Sequence, residues 1–335
     1  MLVTSGPDAA SRAALRLLAE RLPGMSTVEG GASADLVTPG DPPTLRSAQM
    51  VEGSSLRAIK IPNLSRQAIS EFGAFLDGAQ KVQVVGHHQG MPIVFGTVSA
   101  AVRVRVDRRM ITWGHEAPRV ERRIFLPLKY LPALKDLRGP SGDASTSLWR
   151  IVDTSTADRN GDYPSQHPAV LLERAIRAVD QERERLEDEL AEAWCERAES
   201  PLFIDGGISR SARVASSSNA VGVIKSHRTL YVEGDALRIV LGLKKGERSS
   251  VFRVSPRSRS SVMSWYLRLR DASGHDPMWG LVRVEIAESD RRAERANEIS
   301  TWVMAETTPL ALPDGRWDKM AYGVRDCEEF LRAIS

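Results

Sequence analysis

Two apolar runs in this sequence end in Asp-Gly: FLDG at residues 75–78 and LFIDGG at residues 202–207. Asp-Gly is a common turn dipeptide, and two turns would be the plain account. Two carboxylates brought together have another use. They repel unless one takes a proton or a cation sits between them. Paired hard oxygens suit Mg²⁺ or Mn²⁺, which keep waters and accept phosphate oxygens. Such an ion activates a water or steadies a leaving oxygen in phosphodiester hydrolysis. Asp77 and Asp205 are therefore candidate metal ligands and catalytic residues.

A third acid would come from the segment between them. Residues 167–198, HPAVLLERAIRAVDQERERLEDELAEAWCERA, run without a breaker, and Pro168 stands in the first turn, where its missing N–H costs least. The apolar stripe is Leu172, Ile176, Val179, Leu186, Leu190 and Trp194. Arg183 interrupts it and Glu187 borders it. A carboxylate at the margin of a buried stripe can reach a cleft, which makes Glu187 the candidate helix ligand. Glu173, Glu184 and Glu189 compete, and a solvated acidic face with Arg183 paired to Glu187 is the plain alternative.

Basic residues cluster locally. In VRVRVDRR (102–109) Arg103 and Arg105 fall on one face of a strand. FRVSPRSRSS (252–261) holds Arg253, Arg257 and Arg259 in a serine-rich segment. Both suit phosphate contacts that ignore base sequence, against the plain reading of a solvated sheet face and a surface loop. Lys225, closing the run NAVGVIK, suits a role in steadying phosphate charge, against the plain reading of a surface lysine.

The elements that must position these groups read as follows. Residues 8–22 carry helical spacing up to Pro23-Gly24, and residues 30–45 are Pro/Gly/Ser-rich, as in a loop or linker. LRAIKI, KVQVV, PIVFGTVSAAVRVRV, MITW and RRIFLPL read as strands. A loop spans roughly 132–167, and the long helix and LFIDGG follow. NAVGVIKSH, ALRIV, SVFRV, SWYLRLR and LVRVEIA read as further strands, SDRRAERANEISTWVMAE as a second helix, and DKMAYGVRDCEEFLRAI as a C-terminal element that closes the fold. A strand–helix–strand crossover makes parallel neighbours. If Asp77 ends one strand and Asp205 its parallel neighbour, both stand at one sheet edge, where sites of open α/β sheets lie. The division expected is an N-terminal helical segment and linker over 1–65 and an α/β domain over 66–335.

Composition narrows the classes. Forty-six Lys and Arg against 43 Asp and Glu leave a net charge of +3, so global charge selects no partner. Two cysteines, Cys195 and Cys327, give neither a disulfide framework nor metal-ligand spacing, which fits a reducing compartment. No run approaches the ~18 apolar residues of a membrane span, and the first residues lack a secretory pattern. A cytoplasmic protein without membrane contact is expected. Neither a Walker loop nor GxGxxG is present, which argues against ATP hydrolysis by this chain. No GxSxG elbow marks a serine hydrolase.

In order and spacing these pieces resemble the NurA nucleases over roughly residues 70–330. They are a strand with Asp-Gly, a glutamate-bearing helix before LFIDGG, VGVIKSH with Lys225 at the place of a family lysine, SWYLRL, and LVRVE ending in Glu285. The resemblance implies a ribonuclease-H-like mixed sheet flanked by helices, to which the helical spacing of residues 8–22 adds an N-terminal helical extension. It implies Asp77, Glu187 and Asp205 as acids holding Mn²⁺ or Mg²⁺. It also implies action on DNA ends or single strands in repair or antiviral defence, a HerA-like hexameric ATPase as partner, and a homodimer. Asp314 and Asp318, in PDGRWDKM, offer a fourth carboxylate. Ala79 stands where the family usually has serine, and Tyr322 where it usually has histidine. These departures motivate the alternative of a non-catalytic adaptor that binds DNA or a ring ATPase.

Overall fold

The computed structural model describes residues 16–33, 43–62, 64, 68–107, 109–114, 118–137, 150–158, 160–197, 200–255, 259–307 and 318–334. Strands β1 (Ala74–His88), β2 (Met91–Val106) and β3 (Arg119–Leu126) form an antiparallel meander, and β4 (Arg150–Asp153) lies parallel to β3. The β1–β2 turn is Gln89-Gly90, both with positive φ (49° and 79°), the two-residue hairpin geometry that matches strand twist. Helix α1 (Pro168–Arg197) then carries the chain back to β5 (Leu202–Asp205), which docks parallel to β1. The short α2 (Ala212–Ser216) leads to β6 (Ala220–Ile224), parallel to β5. Helix α3 (Gly234–Leu241), strands β7 (Phe252–Val254), β8 (Val262–Arg268) and β9 (Leu281–Ile286), and helices α4 (Arg292–Glu306) and α5 (Tyr322–Ile334) complete the main elements.

Among the described residues these strands belong to one fourteen-stranded mixed sheet. Its principal order is residues 49–50, then β7, β8, β9, β6, β5, β1, β2, β3 and β4. The protein is a mixed α/β sheet flanked by helices. Side chains alternate across a strand, so each strand feeds two cores. Phe75, Phe203, Val221, Val223, Val282 and Val284 meet Trp302 and Val303 of α4 and Val324 and Cys327 of α5. On the opposite face Leu76, Leu202, Ile204 and Ala220 meet Ala191 and Trp194 of α1. Farther along, Val84, Val94, Val98 and Phe125 receive Ala175, Val179 and Leu186 of the same helix. Trp194 Nε1 donates to the Ser200 carbonyl at 3.0 Å and fixes the turn into β5.

Several expectations change. The first strand does not end at Asp77-Gly78. It continues to His88, because β2 pairs with it along its whole length while β5 stops at Asp205. ALRIV lies within helix α3, where Asp235 occupies the first turn and Val240 is buried. Of the expected N-terminal helix, residues 16–21 are described and helical, and Leu18 and Leu22 pack into the sheet's core with Val85 and Ile93. Residues 1–15 and 34–42 lie outside the described residues. Ser26–Ser33, read within and before a linker, is a strand on β1. Gln49–Met50 and Ala58–Lys60 also join the sheet, so the described part of 1–65 is built into the α/β domain. Strand β4 interrupts the loop expected over 132–167.

Helix α5 matters for the site because it seats on β1. A Cβ at Gly323 would lie 2.3 Å from the Phe75 ring, so only glycine permits this approach. Gly323→Ala is expected to lower stability by roughly 1–3 kcal/mol through overpacking, read as a fall in the urea midpoint. An unchanged midpoint would mean that α5 does not seat on Phe75.

Candidate active site

The parallel register of β5 on β1 pairs Leu202 with Ala74, Phe203 with Phe75 and Ile204 with Leu76. One residue further, Asp205 and Asp77 are neighbours. Alternation puts both on the face of Phe75 and Phe203, and Lys225, two residues past Val223 of β6, projects to the same face. Adjacent strands are about 4.8 Å apart, and two carboxylate charges at such a separation repel by roughly 3 kcal/mol at an effective dielectric near 20. One cation answers this: Lys225 Nζ donates to Asp205 Oδ2 at 2.8 Å. Asp77 is the more deeply buried acid, 8% exposed against 20% for the Asp205 side chain. Burial first, and Asp205 second, push the Asp77 carboxyl well above the ordinary carboxylate range, while Lys225 and the Gly78 N–H pull it down. That N–H donates to Asp77 Oδ1 at 2.8 Å, beyond the point where β5 has ended.

Helix α5 covers this face. The Cys327 thiol donates to the Phe75 carbonyl at 3.3 Å, and burial together with Asp77 pushes the thiol pKa up. Lys319 Nζ donates to the Lys225 carbonyl at 3.2 Å, and Met320 Sδ stands 3.9 Å from Lys225 Nζ.

The two glycines of the Asp-Gly pairs have different reasons. Gly206 has φ 140° and turns the chain where β5 ends. Gly78 is within a strand, and a Cβ there would stand 2.2 Å from Glu187 Oε1. Its bare face admits a carboxylate from α1. Of the four helix glutamates weighed, Glu187 is the buried one, at 4% exposed. Burial raises its pKa, while Arg183 and Arg210 pull it down. Arg183 Nη1 donates to its Oε1, and Arg210 Nη2 to its Oε2 at 3.3 Å. Arg210 also holds Asp188 (3.0 Å) and Glu184 (3.5 Å).

Because Gly78 and Asp77 point to opposite faces, Glu187 approaches the acid pair from across the sheet. Its charge still acts on Asp77, but it does not close a three-carboxylate shell with Asp77 and Asp205. Among the described residues no group of three or more His, Cys, Asp or Glu is arranged to hold a metal ion. Asp318 Oδ2 accepts from Gly280 N at 2.8 Å, one loop away, rather than joining the pair. Asp314 lies outside the described residues.

The arginines expected on nucleic acid are largely engaged within the protein. Arg103 and Arg105 do share a face, but α4 and α5 cover it. Arg103 Nε donates to Asp326 Oδ1 at 2.6 Å, and Arg105 forms two bonds of 2.8 Å to Glu306. Arg253 is bidentate on Glu288 at 2.6 and 2.9 Å. Arg259 is exposed, and Arg257 lies outside the described residues.

Three groups escaped sequence reasoning as parts of this site. Arg210 carried no periodic signal, and Lys319 sat in an unpatterned stretch. Glu285, noted only as the end of LVRVE, accepts from Ile208 N (2.9 Å) and from Arg283 Nη1 (2.5 Å), and so fixes the turn after Asp205. No family model matches the chain, and no curated protein matches it.

His227, just past Lys225, bonds the Leu281 carbonyl through Nε2 at 2.7 Å, and its buried Nδ1 has no partner among the described residues. Burial, with Lys319, Arg283 and Arg268 nearby, depresses its pKa to about 4. The unfolded chain binds this proton below about pH 6.5 and the folded protein does not, so stability falls as pH drops from about 6.5 towards 4. His227→Gln is expected to remove up to roughly 3 kcal/mol of that acid-side loss, measured as urea midpoints between those pH values. Parallel curves for both proteins would contradict the assignment.

Proposed function

We propose that the protein is a divalent-metal-dependent nuclease, similar to NurA and built on a ribonuclease-H-like sheet. The observation that carries this reading is the parallel register that sets Asp77 beside Asp205, with Lys225 bonded to Asp205. The fold part rests on the β1–β2–β3 meander, joined through α1 to β5 on the far side of β1.

The donor set fits a hard cation in part. Asp77 and Asp205 supply carboxylate oxygens of the kind Mg²⁺ and Mn²⁺ prefer, and Asp77 is a buried acid whose charge lacks full compensation. Glu187 does not complete that set, since it meets Gly78 from the other face and is held by two arginines. A bound ion would supply an activated water and charge stabilisation at the scissile phosphate. Lys225 would release Asp205 to the ion and turn to the phosphate. Glu187 would act through Asp77's electrostatics and strand position as a positioning residue. In this reading the substrate is DNA, as ends or single strands, in repair or antiviral defence. A HerA-like hexameric ATPase, a second copy of the chain and a cytoplasmic setting belong to the same proposal. No helix among the described residues is long and apolar enough to cross a membrane.

A second reading, a non-catalytic adaptor for DNA or a ring ATPase, is favoured by the neutralisation of Glu187 by Arg183 and Arg210. The two separate on one experiment. Purified protein with Mn²⁺ and labelled linear or single-stranded DNA is expected to cleave it. Asp77→Asn and Asp205→Asn should each abolish cleavage, while Glu187→Gln should cost about 10–100-fold, as loss of a group acting behind the ligands does. Thermal melts must show the variants folded. Asp77→Asn should melt no lower than the wild type, because burial already disfavours the Asp77 charge. Undiminished cleavage in both aspartate variants would remove the site. Absent cleavage together with absent carboxylate-dependent Mn²⁺ binding would leave the adaptor.

A further inference from the structure

The loop joining β8 to β9, residues 269–280, opens at the same sheet edge as Asp205. Strand β9 runs antiparallel to β6 with Arg283 beside Ile224, and β6 runs parallel to β5 with Val223 beside Asp205. Within this loop the rings of His275 and Trp279 stack, with centroids 4.2 Å apart and planes inclined by 12°. His275 is exposed and Trp279 is half-buried, so the stack has an inner ring resting on the loop and an outer ring towards solvent.

The stack is held by the loop itself. His275 N donates to Ala272 O (2.9 Å), Trp279 N to Asp276 O (2.8 Å) and Met278 N to Asp276 Oδ1 (2.8 Å). Residues 318 and 319 link the loop to the acid pair: Asp318 holds the loop's base through Gly280 N, the neighbouring Lys319 Nζ donates to the Lys225 carbonyl, and Lys225 donates to Asp205. A flat aromatic surface that needs no ordering, with ammonium groups between it and a pair of acids, matches the chemistry of a nucleic-acid strand. An unpaired base stacks on any aromatic face, while its phosphates follow the cations.

We infer that His275 and Trp279 form a base-stacking subsite that takes one unpaired nucleobase, with the adjoining phosphates running over Lys319 towards Asp77 and Asp205. The direction of the strand towards those acids rests on the nuclease reading; the binding subsite does not. A merely structural ring pair would leave nucleic-acid affinity untouched, and the test turns on that difference.

Fluorescence anisotropy in EDTA, so that no strand is cut, would compare a labelled thymidine oligonucleotide with an abasic oligonucleotide of equal length and charge. The wild type is expected to bind the thymidine strand more tightly. His275→Ala and Trp279→Leu should each weaken that binding by roughly 5- to 150-fold and leave the abasic strand unaffected. Lys319→Gln should weaken both strands alike, through phosphate contact. His275 is exposed, so its variant keeps the test meaningful if Trp279→Leu melts early. Affinities of His275→Ala for the thymidine strand within about twofold of wild type would overturn the subsite. So would a wild type that binds neither strand or treats both alike. Base-dependent binding by a protein that never cleaves would retain the subsite and discard the nuclease reading.

Discussion

Two carboxylates on neighbouring parallel strands share one lysine, and much of the architecture around them serves to hold that arrangement. The register of β5 on β1 makes Asp77 and Asp205 adjacent, and the strand that ends first decides their environments. Because β5 stops at Asp205, that side chain sits at an edge with Lys225 on it. Because β1 runs on, Asp77 is enclosed by β2 on one side and α5 above. The same repulsion therefore falls unequally, and the deeper acid carries the strain. Glu285 and Arg283 contribute from two strands away, Glu285 holding the Ile208 N–H in the turn that follows Asp205.

The opposite face of the sheet solves a different problem. Glu187 is nearly as buried as the core around it, and a buried charge is costly unless paired and hydrogen-bonded. Arg183 and Arg210 supply that pairing, and Gly78 supplies the space. Arginine serves the same purpose elsewhere. Arg248 ties Glu52 and Asn297 together inside the protein, and Arg268 donates to four backbone carbonyls. Five donors in a fixed fork suit such multi-point pinning. A chain whose basic residues are mostly arginine thus places many of them internally, and this is why arginine clusters in the sequence were poor guides to a phosphate-binding surface.

What the sequence made legible follows the range of each signal. Helix α1 could be read to its first residue, because Pro168 and a long apolar period are local. The parallel pairing of β1 and β5 followed from the crossover rule, and with it the meeting of Asp77 and Asp205. Glu187 could be singled out by its place at the stripe's margin. What stayed hidden depended on which way side chains point across a sheet. Asp-Gly at 77–78 reads like a strand end, yet β2 carries the strand onwards, and a strand that continues sends Asp77 and Gly78 to opposite faces. No local pattern distinguishes that case from a turn. Likewise ALRIV has strand-like composition but takes helical form within α3, where its spacing buries Val240. The roles of Arg210 and Glu285 come from contacts over long sequence separations, on which periodicity is silent.

Access to the acid pair is constrained by the two covers. Helix α5 closes the face that Asp77 and Asp205 share, and α1 closes the face of Glu187 and Gly78. Among the described residues, the pair reaches solvent at the edge where β5 and β6 end. There Asp205 and Lys225 keep about a fifth of their side-chain surface exposed while Asp77 keeps far less. A polymer approaching along that edge meets Lys225 and Asp205 first and Asp77 last. The segments that gather there are the turn after Asp205, the chain after β6, the β8–β9 loop and residues 318–320. They supply cations, backbone donors and a stacked ring pair, on which the proposed nucleic-acid strand would draw. A small, deeply enclosed substrate would instead call for an apolar pocket around Asp77, and on that side Phe75, Cys327 and α5 fill the space.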